Sequence, residues 1–190
     1  AVMASYNEID GVPSHGNKWL LGDVLRGEWG FKGAVVSDYY AIEEMASRHG
    51  IAKDNAEAAR LALAAGVDSD LPKGAAYSTL LGSVREGKVQ VAAIDQAVRR
   101  MLSLKFKAGL FEDPYADAGA AVKITNDAEA KALALRSAQR SIILLKNDGM
   151  LPLSLGTKPP TIAVIGPSAN VARLGGYYGQ LPVTVPILEG

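Results

Sequence analysis

Asp38 ends the segment Gly33-Ala34-Val35-Val36-Ser37-Asp38, and its carboxylate carries the clearest chemical potential in the chain. Small and β-branched residues make a short buried strand, entered through Gly30-Phe31-Lys32-Gly33 and left through Ser37-Asp38-Tyr39-Tyr40. A carboxylate at the C-terminal end of a buried parallel strand stands where an α/β barrel puts its reactive groups. Asp is also favoured as a helix N-cap, and a short helix is expected over 40–48, so local sequence leaves both roles open. Asp68 ends a second strand-like segment, expected at the same barrel face, and Asp70 follows it. Either is a candidate second carboxylate, but the expected role is loop shaping through hydrogen bonds to backbone amides. His15 is expected to brace its loop and His49 to be a solvated helix-end residue. Tyr6 reads as a core aromatic with a satisfied hydroxyl, and Met3 as a gap-filler of the core.

Composition narrows the chemistry. Of 190 residues, 48% are hydrophobic and 21% charged, a globular balance. Lys+Arg and Asp+Glu are both 20, so no basic excess points to nucleic acid or an anionic membrane, and a neutral substrate such as a sugar fits. With no cysteine, disulfides, thiolate metal sites and a Cys nucleophile are excluded; with only two histidines, a multi-histidine metal site is not expected. No apolar run approaches the ~18 residues of a membrane span. The start, Ala1-Val2-Met3-Ala4-Ser5-Tyr6, reads as the interior of a strand and not as a signal peptide.

The elements that must hold these groups alternate. A strand over 1–6, a turn-rich loop over 7–13 and a helix over 18–28 precede the Asp38 strand. A helix over 54–65 opens on a capping box of Asp54 and Glu57 and stops at Gly66, and 66–68 is a brief strand. This strand–helix alternation argues for parallel βα units. Helices are expected over 76–85 and 92–105, with Ile94, Val98, Met101 and Leu102 on one apolar face of the second. Residues 109–121 read as a linker, followed by a helix capped by Asn126, with Glu129 three positions on, running to about Leu145. Pro152, Pro159 and Pro160 suggest an extended connector. Thr161-Ile162-Ala163-Val164-Ile165-Gly166 reads as a buried strand opening a new α/β unit, with Gly175, Gly176 and Gly179 loosening the loop behind it. Three βα units do not close an eight-stranded barrel, so the chain is expected to be a piece of a longer protein.

Gly11-Val12-Pro13, Leu25-Arg26 and the run Gly30 to Tyr39 closely resemble glycoside hydrolase family 3. The resemblance extends in order through Met3-Ala4-Ser5-Tyr6-Asn7, Ala64-Ala65-Gly66-Val67-Asp68, and Arg99-Arg100-Met101-Leu102 with Lys105-Phe106. It continues through Gly109-Leu110-Phe111-Glu112-Asp113-Pro114-Tyr115, Ser141 to Gly149 with Leu151-Pro152-Leu153, and Ile162 to Pro167. It implies the C-terminal part of a (β/α)8 TIM barrel over 1–108, a linker with a connecting helix over 109–160, and the beginning of an α/β sandwich domain over 161–190.

The resemblance further implies that Asp38 is the nucleophile of a retaining exo-acting β-glycosidase. Tyr6, Tyr39 and Met3 would then shape the sugar site. The partner is a small-molecule or oligosaccharide β-glycoside, terminal β-D-glucosyl residues first and β-xylosides second. Neither metal nor organic cofactor is needed. The acid/base Glu is expected beyond residue 190, and the family's Lys-His pair and its sugar-binding Arg and Asp before residue 1. Such a fragment alone is expected to be inactive. A periplasmic or secreted location also follows from the likeness. This chain has Tyr39 where the family usually has Trp, and Tyr can still pack on a sugar face. A relative that only binds sugar is the alternative from another class. A nucleotide site after 162–167 is disfavoured, because Ser168 and Val171 stand where Gly-x-Gly-x-x-Gly needs its second and third glycines, and Pro167 removes an amide.

Overall fold

The computed structural model describes residues 1–190 except Asn126, Leu155, Lys158, Pro159 and 178–183. The expected cap Asn126, and Pro159 and Gly179 of the expected connectors, lie outside the described residues. The chain divides into two compact units, 1–118 and 119–190.

The first unit is built on a small parallel sheet. β1 (Val2–Met3) lies beside β4 (Val35–Val36), with Val2 opposite Val35 and Met3 opposite Val36. Val36 bridges in parallel to Ser69 on its other side, so the third expected strand is reduced to a single bridged residue. Backbone bonds extend this ladder beyond the named strands: Ala4 N–H donates to Val36 O at 3.0 Å and Asp68 N–H to Val35 O at 2.7 Å. Parallel strands need crossovers, and helices supply them. One is an unusually wide helix over Trp19–Glu28, in which Trp29 N–H reaches back five residues to Val24 O at 2.9 Å. The others are α1 (Ala41–Ser47) and α2 (Asn55–Ala65), with α3 (Leu80–Arg85) and α4 (Val91–Lys107) following.

Between β1 and the wide helix, β2 (Glu8–Ile9) and β3 (Val12–Pro13) form an antiparallel hairpin. Its turn, Asp10-Gly11, has positive φ at both residues, 51° and 75°, the conformation that matches a two-residue hairpin to strand twist. The turn-rich loop expected over 7–13 is therefore an ordered reversal.

α2 begins as its sequence predicts. Asp54 accepts from Glu57 N–H at 2.8 Å, while Glu57 reaches back to Lys53 N–H at 2.9 Å. It ends at Gly66, whose φ of 109° few other residues adopt. One face buries Ala58, Ala59, Ala62 and Ala65, small enough for close approach of α1 and of the turn at 14–16. Ile42, Met45, Val35 and Val67 pack in the same core, each of them completely buried. Full burial of a side chain of this size contributes about 1.5–3 kcal/mol.

A polar hub joins these layers at the entry end of β4. Asp68, with a side chain 1% exposed, accepts from Val35 N–H at 2.9 Å and pairs with Arg26 at 2.8 Å and Arg100 at 2.9 Å. Arg26 also donates to Gly33 O at 2.9 Å and Gly66 O at 3.2 Å. Asp68 does bond a backbone amide, as expected, but its carboxylate lies at the start of β4, not at the exit face where the sequence reading put it. Its backbone aligns with Val35, and its side chain turns back toward the strand's own amide.

In the second unit, α6 (Ala128–Ser141) is capped by Asp127, which accepts from Ala130 N–H at 2.8 Å. The helix stops short of the expected Leu145. α5 (Ala118–Ile124) begins inside the stretch expected to be a linker; its alanines are strong helix formers despite Gly119. The expected buried strand over 161–166 is not a strand. No neighbouring strand among the described residues pairs with it, and Ile162 and Ile165 are 65% and 90% exposed. An apolar run becomes a parallel strand only beside another.

Removing the hub carboxylate leaves two guanidinium groups without a counter-charge. Asp68→Ala is expected to destabilise the first unit by about 3–5 kcal/mol, read as a lowered denaturant midpoint of the intact protein; a change below about 1 kcal/mol would show that the hub is dispensable.

Candidate active site

The segment that leaves β4 is tied down amide by amide. Ser37 N–H donates to Ser69 O at 2.9 Å, and the Ser37 hydroxyl oxygen accepts from Leu71 N–H at 2.8 Å. Asp38 N–H donates to His15 Nε2 at 3.1 Å. Tyr39 N–H donates to the Asp38 carboxylate at 2.7 Å, Tyr40 N–H to Leu71 O at 2.9 Å, and Ala41 N–H to Asp38 O at 3.3 Å. Tyr40 takes the left-handed φ of 62°, uncommon outside glycine, and heads α1 without a side-chain cap. Asp38 is thus not the side-chain cap of α1, the role that local sequence left open.

Strand alternation sets where Asp38 faces. Val35 turns into the core; Val36 and its ladder partner Met3 turn to the opposite face, where Met3 is exposed. Asp38, two residues beyond Val36, continues on that side and is half-buried. Tyr6 and Tyr39 are drawn together there: the Tyr6 hydroxyl donates to Tyr39 O at 2.7 Å. The Tyr39 and Tyr40 rings meet edge-on at 6.4 Å. Of the sequence-chosen residues, Asp38, Tyr6 and Tyr39 therefore form one cluster, and Met3 shares their face from the neighbouring strand.

The hairpin supplies the other side of the cluster. Its return brings Ser14 back to Asn7, where Ser14 N–H and hydroxyl both donate to Asn7 O, at 3.1 and 2.8 Å. The tight turn Ser14–Gly16 then carries His15 into the interior, 1% exposed and with its ring 6.5 Å from that of Tyr6. Burial holds the imidazole pKa at about 4; Asp38 and Glu44 nearby raise it and His49 lowers it, but desolvation dominates. His49 is no free helix-end residue either. Its Nδ1 lies 2.6 Å from a Glu8 carboxylate oxygen, pinning the turn after α1 to the hairpin. A cleft of about 600 Å³ opens here, lined by Tyr6, Asn7, Glu8, Arg48 and His49.

Asp70 does not join the cluster. One carboxylate oxygen accepts from Ala76 and Tyr77 N–H, both at 3.0 Å, shaping the loop as expected. Sequence reasoning gave His15 only a bracing role and missed its bond to Asp38. The available signal was a polar ring directly after Pro13 and Ser14 at the close of a hairpin. Among the described residues no group of three or more His, Asp or Glu could hold a metal ion, and no helix is long and apolar enough to cross a membrane.

Parallel βα units with a carboxylate and aromatic side chains gathered at a strand exit define an α/β chain with a polar and aromatic cluster on its loop face. Residues 1–104 match the profile of the glycosyl hydrolase family 3 N terminal domain, and the chain belongs to that family. It is 42% identical over 200 residues to a periplasmic β-glucosidase of Salmonella typhimurium, covering 100% of this chain and 26% of the relative. A β-xylosidase of Formosa agariphila is 40% identical over 206 residues, covering 100% of this chain and 28% of the relative. Among solved structures, a family 3 exo-β-xylosidase in complex with a xylobiose aziridine activity-based probe superimposes with a TM-score of 0.79 at 34% identity. That match covers 98% of this chain and 25% of the other. The chain spans about a quarter of the length of the curated relatives it matches.

The buried imidazole makes stability depend on pH. The unfolded chain binds a proton near pH 6.5 that the folded chain takes up only near 4, so the unfolded state is the more protonated between them. This contribution is complete above about pH 6.5 and is lost as pH falls toward 4. The fall in thermal midpoint of the intact protein between pH 7 and pH 5 is expected to be smaller in His15→Gln than in the wild type. An equal fall would show that His15 titrates normally.

Proposed function

We propose that the chain is part of a retaining exo-acting β-glycosidase that hydrolyses terminal β-D-glucosyl residues through a covalent glycosyl-enzyme, with Asp38 as nucleophile. The observation that carries this reading is the tethered position of Asp38 at the exit of β4, beside Tyr6 and Tyr39. Attack by an ionised carboxylate on the anomeric carbon expels the leaving oxygen, which a second carboxyl group protonates; that group then activates water. Retaining chemistry requires the two about 5–5.5 Å apart. The second is an acid/base Glu beyond residue 190. Tyr39 and Tyr6 offer ring faces and a hydroxyl to the sugar, and Met3 borders the same subsite. No metal or organic cofactor enters these steps.

The proposed plan is a C-terminal part of a (β/α)8 barrel over 1–108, a linker with its helix over 109–160, and the beginning of an α/β sandwich over 161–190. Parallel βα units in the first unit and the likeness to family 3 enzymes support it. A periplasmic or secreted setting is supported by the Salmonella relative. The second reading is a β-xylosidase, favoured by the Formosa relative and the xylosidase superposition.

Incubating the intact protein with a 2-deoxy-2-fluoro-β-glucoside bearing a good leaving group, followed by peptide mapping, tests the assignment. The label is expected on Asp38, and Asp38→Asn is expected to abolish both labelling and turnover. A label on another residue would make Asp38 structural, and failure to label or cleave any β-glycoside would favour a sugar-binding relative. A higher kcat/KM for aryl β-xyloside than for aryl β-glucoside would select the second reading.

A further inference from the structure

His15 stands where nothing about core packing requires a polar ring. It is 1% exposed, and a buried polar group costs free energy unless it is paired. Its Nε2 is paired with the N–H of Asp38 at 3.1 Å. An amide donates and does not accept, so Nε2 presents its lone pair and the ring is neutral with its hydrogen on Nδ1. The burial that disfavours the imidazolium keeps it so. Around the ring stand Tyr6 from the hairpin approach, Asp38 from the loop after β4, Glu44 from α1 and His49 from the turn behind α1. α2 packs on the same turn through a face that buries only alanines.

The turn that carries His15 is itself immobilised, by Ser14 on Asn7 O and by Gly16 seated against Met45, where an added Cβ would lie 3.1 Å from Sδ. The acceptor is therefore presented from a fixed frame. Fixing an amide fixes the adjoining Cα, and with it the direction in which the Asp38 carboxylate leaves the backbone. A misplacement of ~1 Å in a reacting group costs about 100-fold in rate.

We propose that His15 is a positioning residue for the reaction: its Nε2 lone pair holds the Asp38 amide so that the carboxylate is aimed at the anomeric carbon. This rests on the reading of Asp38 as nucleophile. His15 does not touch the sugar, and it exchanges no proton during turnover.

Side-chain length tests this. In His15→Gln the amide oxygen sits the same number of bonds from the backbone as Nε2 and can accept from Asp38 N–H without titrating. In His15→Asn the oxygen falls one bond short, at the level of Nδ1, and in His15→Leu no acceptor exists. The readout is the first-order rate of covalent labelling of the intact protein at saturating 2-deoxy-2-fluoro-β-glucoside, alongside the inhibition constant for glucose. Gln is expected to label within about 3-fold of wild type, and Asn and Leu about 10- to 100-fold more slowly, with glucose inhibition unchanged in all. Circular dichroism checks folding; if Leu is misfolded, the Gln–Asn pair decides alone. Equal rates in folded Gln and Asn variants, whether both normal or both slow, would overturn the positioning role. A wild-type label that is absent from Asp38 would instead overturn the nucleophile reading, and this proposal with it.

Discussion

The first unit is organised around one buried carboxylate. Asp68 receives an amide of β4, a guanidinium from the wide helix and another from α4, so strand, crossover and outer helix meet at a single charge. Taking an isolated carboxylate out of water is costly, and the arrangement holds because its oxygens are engaged by two guanidinium groups and a backbone amide. Arg26 adds a second layer by binding the carbonyls of Gly33 and Gly66, the residues that lead into the two neighbouring sheet segments. Both segments therefore start at a common level, which sets where they end.

That alignment matters because the candidate site lies at the other end of the same segments. Ser37 and Leu71 exchange contacts across the exit, and Tyr40 is bonded to Leu71 in turn. The hairpin enters from the far side through His15 and Tyr6. The nucleophile candidate is thus held by two independent parts of the chain, one after it in sequence and one before it. Neither is adjacent in sequence to Asp38, and each is rigid for its own reason: bridged strand on one side, a tight reversal at Asp10-Gly11 on the other.

Sequence made the local decisions legible. The Asp54–Glu57 start, the Gly66 stop and the small, β-branched run before Asp38 all express short-range rules, and the structure follows them. Pairings at long range were not legible: Asp68 meets Arg26 and Arg100 across 42 and 32 residues, and His15 meets Asp38 across 23. Nothing in the spacing of these residues encodes the meeting, because the sheet brings them together. The 161–166 segment shows the converse limit. Its apolar pattern satisfies a strand's local preference, yet strand formation needs a neighbour's backbone groups.

Every N–H from Ser37 to Ala41 already has an acceptor within the protein. The backbone around Asp38 has no free donor to offer, unlike sites that grip a substrate through main-chain amides. A ligand placed against this segment therefore meets donors only from side chains, which single substitutions can exchange while the amides that tether Asp38 stay the same. On the proposed reading of Asp38, the side chains that would meet a ligand and the amide tethers that aim the carboxylate are separable parts of the molecule, so one can change without disturbing the other.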